Sequence, residues 1–156
     1  MTREYLTVVV KPNLEAMSTG VADPRLTYNA VATADALAAH IFYWCRANAP
    51  AEVSGLKDIS AYRQEQKKHK ANAALMYDVA KALKHVELDR GAPRIRLATD
   101  ILPQQFGYEE GAYGVGPFGG GEQMSAIVDG RKVQLAWTIR SVVEFYEGEM
   151  DRLRIP

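Results

Sequence analysis

Residues 72–88, NAALMYDVAKALKHVEL, are the stretch on which the fold turns. Asn72, Leu75, Met76, Val79, Ala82, Leu83 and Val86 recur at helical spacing and fall on one side of a helix of 3.6 residues per turn, while Asp78, Lys81 and His85 share the neighbouring side. This spacing predicts a core helix with a polar edge. Gly91 and Pro93 follow Leu88 as a helix stop. Upstream, Leu56 to Lys70 is rich in charge and poor in apolar support. It reads either as a helix beginning at Asp58 and running into the core helix, or as an ordered loop.

Working outward, Leu6, Val9, Val10, Leu14 and Met17 predict a helix over residues 3–17, interrupted at Pro12. A short strand ending at Lys11 is the alternative. Asp23-Pro24 is a capping aspartate followed by a first-turn proline, and it opens a helix running to about Asn48. From Arg94 the period drops to two, with Ile95, Leu97 and Thr99 alternating against Arg94, Arg96 and Ala98, which predicts a strand. Met124–Val128 and Lys132–Trp137 are further strands around an Asp129-Gly130 hairpin turn. Between them, residues 106–121 hold seven glycines together with Phe106, Tyr108, Tyr113 and Phe118. Ile139, Val142, Val143, Tyr146, Met150 and Leu153 then predict a last helix over 138–153. The reading is mainly α: one domain, 1–156, with a bundle of about four helices. Its helical core is 3–90. A small antiparallel β element of two to three strands and the glycine–aromatic loop (94–137) precede the C-terminal helix.

Composition narrows the partners. The apolar fraction is 47%, the charged fraction is 24%, and 19 basic residues balance 19 acidic ones. Global charge therefore selects no polyanion, and nucleic-acid binding would need a local patch. The lone Cys45, inside an apolar helical pattern, fits a reducing cytoplasmic setting. No apolar run is long enough for a signal peptide or a membrane span. No metal is expected, since there is no CxxC or HExxH and no glutamate stands three residues before a histidine. No cofactor is expected either. Gly114-Val115-Gly116-Pro117-Phe118-Gly119 satisfies GxGxxG in letters but lacks the preceding strand and following helix of a dinucleotide site.

Arg63, five residues, then His69 is the leading catalytic candidate. A guanidinium can hold a phosphate, and an imidazole can move the proton of an RNA 2′-hydroxyl without a metal. Asp78 and His85, seven residues apart on one helix side, form a second candidate in which Asp78 would set the tautomer of His85 and Lys81 and Lys84 would contact anions. Arg94 and Arg96 would extend the basic surface. The Arg63…His69 spacing and the Asp78…Lys84-His85 segment resemble the HEPN superfamily of RNA-cutting and nucleotide-binding helical domains over roughly residues 23–90, with Gln64 where that family usually carries asparagine, aspartate or histidine. The resemblance implies an RNA-binding or metal-independent RNA-cleaving protein of bacterial defence or toxin type that forms homo-oligomers. The alternative is a non-enzymatic assembly module that engages a protein partner through the loop aromatics and the hairpin.

Overall fold

The structure is a computed structural model that describes residues 1–19, 22–88, 93–105 and 122–156. Among these residues it forms five helices and a three-stranded sheet. The first helix, α1, is one continuous run, α-helical over Thr2–Tyr5, π-helical over Leu6–Val10 and α-helical again over Lys11–Thr19. The wide turn has a local cause. Pro12 has no N–H to donate, and just ahead of it Lys11 N–H reaches back five residues to Leu6 O. Asn13 Nδ2 covers Val9 O at 2.9 Å. The helical reading of this segment therefore holds, and the strand alternative does not.

α2 (Pro24–Asn48) opens on the Asp23 carboxylate, which accepts Arg25 N–H at 2.8 Å. α3 (Ile59–His69) opens on Asp58, which accepts Ala61 N–H at 2.9 Å. α4 (Ala71–His85) takes in residues 72–85 of the core-helix stretch and ends before Val86. Lys70 between α3 and α4 is extended, at φ −139° and ψ 109°. The loop alternative for this stretch does not hold, and the helix from Asp58 is broken in two at Lys70, so the mainly helical bundle has five helices among the described residues. Neither glycine nor proline marks that break. It turns α3 back to pack on α4, a tertiary cause that local spacing does not register.

α5 (Leu135–Arg152) packs on α2 and α4. Leu37, Ile41 and Phe42 of α2, Val79 and Ala82 of α4, and Leu135, Val142 and Met150 of α5 are almost wholly removed from water. Such burial is the main stabilising term, at about 1.5–3 kcal/mol for each large side chain. Leu75, Met76, Val79 and Ala82 face this core as expected. Val86 does not, because α4 ends one residue before it.

β1 (Ile101–Gln105), β2 (Glu122–Val128) and β3 (Arg131–Gln134) form an antiparallel sheet in the order β1-β2-β3, with Ile101 opposite Ala126 and Ser125 opposite Gln134. Asp129 and Gly130 both have positive φ, 50° and 75°. That is the type I′ geometry whose twist suits a two-residue hairpin. Met124 and Ala126 are buried, and β2 lies against α5.

Two strand boundaries shift from expectation. Residues 94–97 make only an isolated bridge, Glu87 opposite Leu97, and Ala98–Asp100 is a 3₁₀ turn in which the Asp100 carboxylate accepts Leu97 N–H at 3.2 Å. Arg94 and Arg96 are consequently exposed beside a helix end rather than displayed on one strand face. Leu135 to Trp137, expected in a strand, are the first turn of α5.

The end of α4 is strained. Val86 sits at φ 64° and ψ −44°, and Glu87 N–H closes on His85 O at 2.7 Å, giving a γ-turn of the positive-φ kind. A β-branched residue there costs about 1–3 kcal/mol and persists only where neighbours over-determine it. Here Val86 N–H bonds Ala82 O and Val86 O accepts Ala98 N–H, both at 2.8 Å.

At the opposite end, α1 is tied to α5. Arg3 donates to Ile155 O at 2.9 Å and to Asp151 at 2.8 Å, Lys11 pairs with Glu147 at 2.7 Å, and Arg140 reaches Ser18 Oγ at 3.2 Å. Among the described residues no helix is long and apolar enough to cross a membrane.

Tyr5 of α1 stacks on His40 of α2, with ring centroids 4.0 Å apart and planes 10° from parallel. Burial first, and the N-terminal amine second, hold the His40 imidazole below its ordinary 6.5. The unfolded chain therefore binds a proton at this residue that the folded chain refuses. Stability rises with pH across the interval below 6.5 and is lost as pH falls through it. A thermal melt is expected to show a lower midpoint at about pH 5.5 than at about pH 8, and His40→Phe, which keeps the stacked ring, should reduce that difference. An unaltered difference in the variant would assign the pH dependence to other groups.

Candidate functional site

Two helix turns face each other between α3 and α4. Arg63 and Lys67 are four residues apart on α3, and Tyr77 and Lys81 are four apart on α4, so each pair projects from one helix face. Their side chains meet at the Tyr77 ring. Lys67 Nζ lies 4.4 Å, Lys81 Nζ 4.6 Å and the Arg63 guanidinium carbon 5.5 Å from its centroid. All three are within the roughly 6 Å over which a ring quadrupole attracts a cation.

Two buried carboxylates hold this cluster together. Asp35 of α2 accepts Arg63 Nη2 at 2.8 Å, and the same nitrogen also donates to the Asp35 carbonyl oxygen at 3.0 Å. Lys84 Nζ lies 3.6 Å from the same carboxylate, with its side chain half exposed. Asp78 of α4 accepts Lys67 Nζ at 3.2 Å and the Arg94 backbone N–H at 3.0 Å. Asp78 thereby anchors the segment that follows Pro93. The Arg94 guanidinium adds a bond to Ala71 O at 3.1 Å, at the start of α4. Arg63, Lys67, Lys81 and Lys84 thus stand against Asp35 and Asp78, leaving a surplus of positive charge. Lys81 has the Tyr77 ring and no carboxylate among the described residues.

The Asp35 carboxylate reaches further into the bundle. Burial first, and Asp35 second, push the phenols of Tyr5 and Tyr146 up from their usual range, so both stay protonated at neutral pH. Arg63 Nε is buried without a hydrogen-bond partner among the described residues.

The predicted site residues divide between these surroundings. Arg63 turns inward to Asp35. His69, at the last turn of α3, is exposed with Nε2 3.6 Å from Glu65. Six residues of helix place Arg63 and His69 on different sides of α3, so the two are not brought together within one chain. His85 is exposed at the end of α4, its side chain making no hydrogen bond or ion pair among the described residues, while Asp78 is buried with Lys67. The expected Asp78–His85 pair is therefore not formed. Lys81 and Lys84 do share the cluster, and Arg94 borders it. Arg96 is exposed, and its carbonyl accepts Leu88 N–H at 2.8 Å. Phe106, Tyr108, Tyr113 and Phe118 lie outside the described residues.

Asp35, Lys67 and Tyr77 belong to the cluster although sequence spacing does not single them out. For Asp35 a signal is present: an acid at the helical spacing of Val31, Ala34, Ala38 and Phe42 sits on a buried face, where an acid requires a partner. Among the described residues no group of three or more histidine, cysteine or acidic side chains is placed to hold a metal ion.

No protein-family model, curated protein or solved structure matches the chain.

Proposed function

We propose that this chain is a HEPN-like RNA-binding protein whose α3–α4 face grips the phosphate backbone. The supporting observation is the convergence of Arg63, Lys67 and Lys81 on Tyr77, with Lys84 alongside and, among the described residues, Asp35 and Asp78 paired to them. Within this reading the residues have different tasks. Arg63 and Lys67, each bonded to a buried carboxylate, set the geometry. Lys81 and Lys84 present ammonium groups to phosphate oxygens, and Arg94 lengthens the track. The neutral net charge then reflects charge segregation rather than indifference to polyanions. Binding is favoured over cleavage because the guanidinium of Arg63 is engaged by Asp35 and His69 faces away from it.

The test is fluorescence anisotropy with single-stranded RNA over a series of salt concentrations in the presence of a chelator. The logarithm of the affinity should fall linearly with the logarithm of salt, by roughly 0.7 for each phosphate neutralised. RNA recovered intact supports the binding reading. Cleavage that disappears in both Arg63→Ala and His69→Ala would restore the nuclease assignment in its place. No affinity at low salt would dismiss both.

A further inference from the structure

The strained turn at Val86 gives the phosphate face a second kind of contact. Its backbone task needs no side chain, and a β-branched one opposes it; the other positive-φ positions among the described residues are Gly55, Gly130, Asp129 and Arg154, none of them β-branched. Nor does the fold bury what the strain displays, for Val86 is 68% exposed. Leu97, across the bridge from Glu87, is 39% exposed. Folding thus accounts for the turn and not for the apolar side chain at its tip.

The surroundings indicate what that side chain meets. Lys84 and His85 immediately precede it, and Arg96 bonds the segment just after it through Leu88 N–H. Among the described residues at this end of α4 and in the segment beside it, Lys81, Lys84 and Arg96 stand against Glu87 and Asp100, while the Arg94 guanidinium is at the other end of α4, on Ala71 O. A ligand suited to both features is a polyanion that also carries flat apolar faces. Unpaired nucleic acid has both, whereas a duplex encloses its base faces in the stack. We infer that Val86 is the nucleobase contact for the RNA strand whose phosphates lie on Lys81 and Lys84, an inference that rests on the RNA-binding reading. The contact is apolar and reads no hydrogen-bonding edge, so it favours unpaired strands without selecting a base.

The probes are a short single-stranded oligoribonucleotide and an abasic oligomer of the same length, titrated against the whole chain. Wild type should bind the base-bearing strand roughly five- to tenfold more tightly than the abasic one. Val86→Gly, which relieves the turn, should abolish that ratio, leave abasic binding unchanged and melt no lower than wild type. Val86→Asn, which tolerates the same φ with a polar side chain, should behave likewise. Equal ratios in wild type and both variants would overturn the inference while leaving the phosphate reading intact. Failure of wild type to bind either oligomer would overturn both.

Discussion

Asp35→Asn is expected to destabilise the fold by about 3 kcal/mol, read as a lower urea midpoint at unchanged slope. The carboxylate is 6% exposed and its Arg63 partner 18% exposed. The amide left behind can still accept a hydrogen bond but carries no charge, so the guanidinium stays desolvated and uncompensated. Lys84 adds little to this loss because its half-exposed ammonium can return to water. Removing both charges together is a different experiment. Asp35→Leu combined with Arg63→Met should lie within about 1 kcal/mol of wild type, since a buried pair costs nearly as much to desolvate as it returns. If Asp35→Asn alone proved as stable as wild type, the pair could not be what holds α3 against α2.

Reversing the charges of Lys81 and Lys84 together, Lys81→Glu with Lys84→Glu, should weaken RNA binding by roughly a hundredfold or more at low salt and make the salt dependence shallower by roughly 0.7 for each phosphate that is no longer neutralised. The fold should survive. Lys81 gives up a cation–ring attraction of about 0.5–1 kcal/mol, and the glutamate placed near Asp35 remains largely in water. Lys81→Gln with Lys84→Gln keeps the length of the stems and should give an intermediate loss. A reversal at exposed Lys57, before α3, changes net charge without touching the Tyr77 cluster and serves as the comparison. Equal weakening by Lys57→Glu would mean that overall charge, and not this face, governs binding.

How much of the fold and of the basic face is legible in the sequence depends on the range of the forces involved. The core of α4 can be read directly, because Leu75, Met76, Val79 and Ala82 obey a period set by the helix itself. The Asp23 cap and the Asp129-Gly130 turn are legible for the same reason, each being settled within four residues. Lys70 is not, since its extended backbone is imposed by the packing of α3 on α4. The spacing to His69 draws attention to Arg63 but misplaces its surroundings. The inward direction of Arg63 depends on Asp35, twenty-eight residues away, and no local spacing records that distance. Val86 shows the converse: the helical period places it in the core, and a γ-turn one residue past the end of α4 turns it out.

The ties between α1 and α5 bear on how the chain is made. The residues that Arg3 and Ser18 need are synthesised 148 and 122 positions later. At about 5–20 residues per second, the α5-facing side of α1 waits on the order of ten seconds for its cover. The Lys11–Thr19 part of α1, which packs on both α2 and α5, gains its α2 cover early and its α5 cover last, and the ties of Arg3 and Ser18 form only once the last helix has been made.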